Sequence, residues 1–95
     1  MKLCRVVGTV VLNQCIEAYR GKALHLTQSL DRQLQPVGAP EVSATWRPMQ
    51  EGEDVIVEVS REACNAFDPP VPLDSVIIGK VDRVCLEIRD PGRQA

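Results

Sequence analysis

Apolar side chains recur at every second position through much of this chain, the period of a β-strand with one covered face. In residues 3–12, Cys4, Val6, Val10 and Leu12 share one face with Gly8, while Leu3, Arg5, Val7, Thr9 and Val11 share the other. The first face is apolar and is expected to line a core. The second is mixed and suits a subunit contact or a half-covered surface. Gly8 within the run predicts a bulge or a close backbone approach. Residues 23–30 alternate again: Leu24, Leu26 and Leu30 point one way, His25 and Thr27 the other, so His25 is expected at a polar surface. Residues 41–46 set Val42, Ala44 and Trp46 on one side, and residues 55–59 do the same with Val55, Val57 and Val59.

The run at residues 76–84 differs. Val76, Ile77 and Ile78 are apolar on both faces, and a chain of 95 residues has little material to cover both. A second copy of the chain is the expected cover. Within residues 75–88 the apolar phase slips, from Ile77 and Val81 to Val84, Leu86 and Ile88, which predicts a bulge or break near residues 80–83. Ser60 reads as the N-cap of a two-turn helix over residues 61–67, its hydroxyl free to accept a first-turn N–H. Asp68, Pro69 and Pro70 end that helix. Residues 13–22, 31–40 and 47–54 read as connections, the second interrupted by Pro36, Gly38 and Pro40. Five short strands and one small helix predict an all-β fold: a small five-stranded OB-like β-barrel over residues 1–89, then a polar tail at residues 90–95.

Composition narrows the function. A domain this small buries only about 60–65% of its unfolded surface, and oligomerisation is one outlet for the surplus apolar surface. The net charge is −2 and the aromatics are Tyr19, Trp46 and Phe67 alone. A grip on nucleic acid needs a positive groove with stacking platforms, and neither is expected here. No apolar run reaches the ~20 residues of a membrane span, and Arg5 and Gly8 interrupt any signal-peptide core. A cytosolic protein without a membrane partner is expected.

Candidate chemistry is sparse. Cys4, Cys15, Cys64 and Cys85 form no Cys-x-x-Cys pair and are joined by one histidine, so no metal site is expected. They read as reduced thiols, packed as small apolar side chains. His25 has no nucleophile in sequence context, and no glycine-rich phosphate loop occurs. No catalytic residue or cofactor is expected. Trp46 with Arg47 reads either as a barrel-end plug beside a solvated cation or as an anchor pair at an interface.

Taken in order, several short pieces resemble one family. They are Arg5-Val-Val-Gly-Thr-Val10; Gly21 with Leu24-x-Leu26-x-Gln28-x-Leu30-Asp31; Pro36-Val37-Gly38; Gly52-Glu53 before Val55 and Val57; and Pro72-Leu73-Asp74 before Val76-Ile-Ile-Gly79 and Val81-Asp82. They are similar to the pentameric vertex proteins of bacterial microcompartments, the family of the carboxysome and ethanolamine-utilisation vertex subunits. The chain departs from that family at Thr45, where an Asp is usual, and at Pro48-Met49-Gln50, where Gly-Ala-Gly is frequent.

The resemblance implies an OB-like barrel that forms a homopentamer, caps the five-fold corners of a polyhedral shell in the bacterial cytoplasm, and makes or breaks no bond. Its partners would be copies of itself and the hexameric and trimeric shell tiles. A closed ring needs a heterologous contact. The expected subunit interface is Leu3, Arg5, Val7, Thr9 and Val11 against Val76, Ile77 and Ile78. The expected central-opening loop is Arg47, Pro48, Met49 and Gln50, and the expected tile contacts are Arg20, Lys22, Asp31 and Arg32. The alternatives are an OB-fold nucleic-acid-binding module, another small oligomeric adaptor, and a thiol enzyme using Cys15 or Cys64.

Overall fold

Alternation of this kind closes on itself. The computed structural model describes residues 1–85; Leu86, Ile88 and the expected tail at residues 90–95 lie outside the described residues. Strands β1 (Lys2–Val10), β2 (Ala23–Leu30), β3 (Pro36–Thr45), β4 (Asp54–Val59) and β5 (Ser75–Lys80) form a closed barrel in the order β1-β2-β3-β5-β4. Neighbours pair antiparallel except β3 and β5, which meet in parallel at Ala44 opposite Val76. A short helix α1 (Ser60–Cys64) follows β4, and a 3-10 turn (Glu17–Tyr19) precedes β2. Among the described residues no helix is long and apolar enough to cross a membrane. The expected all-β barrel with one short helix is the observed fold.

Gly8 marks a bulge, as expected. Val6 lies opposite Thr27 and Gly8 opposite Leu26, so Val7 is the extra residue. A Cβ on Gly8 would stand 3.2 Å from Leu26 Cδ1, which is why the backbones meet there without a side chain. One inserted residue reverses the facing of everything after it. Cys4 and Val6 point inward, but beyond the bulge Thr9 pairs with His25 and Val10 with Leu24. Val10 and Leu12 therefore do not continue the core face: β1 ends at Val10, and Val11 and Leu12 are exposed.

β2 presents the opposite face to the one expected. His25 and Thr27 point into the barrel and are buried; Leu24 and Leu26 lie on its outside. β3 follows suit, with Ser43 and Thr45 buried and Val42 exposed. Alternation separates two faces without saying which is inside, and the interior of a five-stranded barrel accommodates small side chains best. One half of that interior is apolar: Cys4, Val6, Val55, Val57 and Ile77, with Met49 and Val59 against them. The other half is a chain of hydroxyls. Thr27 Oγ1 and Ser43 Oγ are 2.7 Å apart, Ser43 Oγ and Ser75 Oγ 2.6 Å. Each hydroxyl satisfies the next, which removes most of the cost of burying them. Thr45 Oγ1 is buried without a partner.

Three boundaries moved. Residues 36–40, expected as loop, form the first half of β3. Pro36 and Pro40 fit there because this half of the strand is exposed and pairs with β2 alone, so no ladder bond is lost on its open side. Gly38 adopts φ +80° where the register slips, and Gln28 Nε2 donates to its carbonyl at 2.6 Å. The helix ends at Cys64, and Ser60 is its first residue rather than a side-chain cap: its φ is +61° and its N–H donates to the Asp74 carbonyl at 2.9 Å. The bond to the lead-in of β5 claims the backbone of Ser60. The last strand stops at Lys80, at the expected break; Val81 N–H turns back to the Asp54 carbonyl at 2.8 Å.

Candidate assembly surface

Because the leucines of β2 lie outside, the outer face of β2 and β3 is apolar. Leu24 sits across from Ala44, both already buried within the subunit, and half-buried Leu26 sits across from Val42, which is 50% exposed. Beside this face a cleft of about 360 Å³ opens, walled by Tyr19, Leu24, Val42, Ala44, Pro72 and Leu73. Tyr19 Oη donates to the Pro72 carbonyl and ties the connection before β2 to the lead-in of β5. The segment after β1 exposes Val11 (86%), Leu12 and Ile16. Outward apolar surface gathered in this way marks a site of protein contact.

The expected interface residues separate into two groups. Leu3 and Val7 are half-buried on the outside of β1, and Thr9 and Val11 are exposed, so these remain available to a neighbour. Arg5 is committed within the subunit: its Nε donates to Asp54 Oδ1 at 2.8 Å and its Nη2 to the Leu34 carbonyl at 3.3 Å. The Asp54 hydrogen bond holds the guanidinium above its ordinary value. Arg5 thereby clips the β2–β3 turn to the start of β4.

Val76 and Ile77 correct the expectation that a second copy covers them. Both are fully buried within one subunit. Ile77 belongs to the barrel core, and Val76 faces the side on which α1 packs against β4 and β5. The cover comes from the same chain, whose helix α1 packs against β4 and β5. Ile78 is half-buried and stays reachable.

Arg47, Pro48 and Gln50 are exposed; Met49 is half-buried and packs on the core. Trp46 is not a plug. It lies outside, 54% exposed, edge-on to Phe67 with ring centres 6.4 Å apart. Arg20 pairs with Glu17 at 2.9 Å on open surface, and Lys22 Nζ stands 5.1 Å from the centre of the Phe67 ring. Asp31 Oδ1 accepts the N–H groups of Gln33 and Gln35 at 2.9 and 3.0 Å, so that carboxylate shapes the β2–β3 turn. Arg32 is exposed on the same turn. Arg20 and Lys22 precede β2 while Asp31 and Arg32 follow it, so the four charges form two separate pairs rather than one edge.

Burial pushes the Cys4 thiol above its usual range, which disfavours the thiolate. Cys15 and Cys85 are exposed free thiols and Cys64 is half-buried. Among the described residues no group of His, Cys, Asp and Glu is placed to hold a metal. Sequence reasoning missed the outward face of Leu24, Leu26, Val42 and Ala44. The signal was present in the small hydroxyls at Thr27, Ser43 and Ser75, which suit a narrow interior better than leucine does.

Comparison with known proteins adds three findings. The family described as ethanolamine utilisation protein EutN/carboxysome matches residues 1–82. No curated protein sequence matches the chain. Among solved structures, the GrpN pentameric microcompartment shell protein from Rhodospirillum rubrum is 30% identical, with a TM-score of 0.79, covering 93% of this chain and all of that one. The ethanolamine utilisation protein EutN from Escherichia coli is 28% identical with a TM-score of 0.84, covering 90% and 89% of the two chains. CcmL from Gloeobacter violaceus is 31% identical with a TM-score of 0.82, covering 92% and 91%.

Proposed function

This chain belongs to the ethanolamine utilisation protein EutN/carboxysome family, and on that premise we propose that it is a structural shell protein. Its copies close into a homopentamer at the five-fold vertices of a bacterial microcompartment in the cytoplasm. The observation that carries this reading is the end-to-end likeness to the pentameric shell protein GrpN. A flat layer of hexameric tiles cannot close, and a five-fold unit introduces the curvature that closes it. The subunit's task is geometric and requires no reaction.

A cyclic ring joins two different surfaces of each subunit. The outer face of β2 and β3, with its flanking cleft, is one. The outside of β1 at Leu3 and Val7 is the other, with the exposed Thr9 and Val11 beyond the bulge, and Ile78 on β5 across β4. The loop of residues 47–50 borders the central opening. Arg20, Lys22 and Arg32 are left for the hexameric and trimeric tiles, in contacts weak enough to rearrange while a shell grows.

Light scattering on the purified chain tests the ring. The expected particle has about five subunit masses, as a closed cyclic assembly requires. A monomer that persists at high concentration would end this reading.

A further inference from the structure

His25 is 1% exposed and lies inside the barrel. Its Nε2 accepts the Met49 N–H at 2.9 Å, and its Nδ1 lies 3.4 Å from Thr9 Oγ1. An imidazole that accepts at Nε2 carries its hydrogen at Nδ1, so Thr9 Oγ1 is the acceptor on that side. A second proton would turn Nε2 into a donor aimed at the donor of Met49. The hydrogen bond would be replaced by an opposed pair of donors in a buried place.

The bond holds the middle of a loop. Residues 46–50 connect β3 to the turn at Gly52, which adopts φ +90° and donates its N–H to the Val6 carbonyl at 2.8 Å. Pro48 has no N–H to give. The Gln50 carbonyl accepts from Glu53 N–H at 3.2 Å, so the two outer parts of the loop are tied by Phe67 and by Glu53, and its centre by the imidazole. Met49 then seats its side chain against the core cluster of Cys4, Val6, Val55, Val57 and Ile77.

The cations nearest the ring are Arg20, Lys22 and Arg47, with Arg20 paired to Glu17 at 2.9 Å and the exposed Glu51 following the loop. The cleft that reaches His25 is lined by Arg20 and Lys22, with Tyr19, Cys15 and Pro48, and none of its lining residues is a carboxylate. Arg47 is in the loop itself, and inward from β1, β3 and β5 come Cys4, Ser43 and Ser75, which carry no charge as thiol and hydroxyls. The carboxylates at the start of β4 are engaged elsewhere, Asp54 with Arg5 and Glu53 with Lys80.

We propose that His25 is a proton-responsive clip: neutral, it fastens the loop of residues 46–50 to the barrel through the Met49 amide; protonated, it releases that loop and uncovers the end of the core. The clip is held by the neutral ring and broken by a second proton on it, so it is present at higher pH and is lost as pH falls. The clip is a property of one subunit. Its further consequence, a change in the bore of the central opening, rests on the ring reading above.

Exchange of the Met49 amide with solvent, followed by NMR on the full chain from about pH 8 to about pH 5.5 and divided by the intrinsic rate, tests the clip. The expected result is a loss of protection of about fivefold or more as pH falls, the effect of one net hydrogen bond, while Val57 in β4 stays protected. His25→Gln offers an oxygen in place of Nε2 and gains no proton, so its Met49 protection is expected to be flat with pH. His25→Ala is expected to leave Met49 unprotected throughout. Constant protection in the unmodified chain, or the same fall with pH in His25→Gln, would overturn the proposal. Should His25→Ala not fold, the unmodified and Gln chains decide between them. Particle mass measured on the same samples separates the two readings: a monomer ends the ring and leaves the Met49 result standing.

Discussion

Ser43 stands at the centre of the buried hydroxyl chain, with Thr27 on one side and Ser75 on the other. Ser43→Ala leaves the Ser75 hydroxyl short of a partner in the interior and Thr27 with only its long contact to the Glu41 carbonyl at 3.5 Å. Urea denaturation is expected to show a loss of about 1–3 kcal/mol, the cost of stranding buried polar groups. A loss below the error of the measurement would mean that water or Thr45 takes over. Cys4 gives a pH dependence of definite sign. Its thiol is raised in the folded state by burial, so it keeps its proton after the unfolded thiol, near pH ~8.5, has lost one. Stability is then fully present below that pH and falls as pH rises through the alkaline range. Cys4→Ala is expected to flatten that part of the slope in melts collected from neutral to alkaline pH.

At the scale of elements, the bulge at Gly8 and the outward leucines of β2 decide what the barrel offers to others. Val42 lies on this face and is half exposed, so Val42→Asp costs the isolated subunit little. It places a carboxylate where a neighbour's apolar surface is expected to sit. The expected outcome is a folded barrel, by circular dichroism, that sediments as a smaller species than the unmodified chain. An intact ring would move the contact off β2 and β3. Val76 on β5 goes the opposite way: it is fully buried within the subunit and so is not available as a contact. The strands were legible in the sequence because alternation survives without tertiary context. The first half of β3 was not, because Pro36, Gly38 and Pro40 suit a loop equally well until an open strand edge is known to be there.

For the whole molecule, the charges left over after intramolecular pairing are the ones available to other shell components. Arg32 is exposed on the β2–β3 turn, and Arg20 holds only Glu17 on open surface. Exposed pairs of that kind contribute little to stability. Arg32→Glu and Arg20→Glu are therefore expected to leave ring mass and melting temperature unchanged while weakening co-assembly with shell tiles, read as fewer closed particles by electron microscopy. Closure at the level of the unmodified protein would assign tile contact to another edge. Asp31 is the less suitable choice for such a test, since its removal would also undo the turn it caps.

What the amino-acid order determined by itself was the strand count, the barrel class and the family likeness. All three are carried by local features: a period of two, turn residues at set intervals, and short motifs in sequence order. Which face of each strand turned inward was decided only by the tertiary structure. A single extra residue at the β1 bulge exchanges inside for outside, and the narrow interior selects hydroxyls and one imidazole over leucines. The sequence marks the bulge with a glycine but not which face the strand across from it turns inward. For the same reason His25 reads as a surface residue and is instead buried against Met49, and the pair Val76 and Ile77 reads as a subunit contact and is instead enclosed within one subunit.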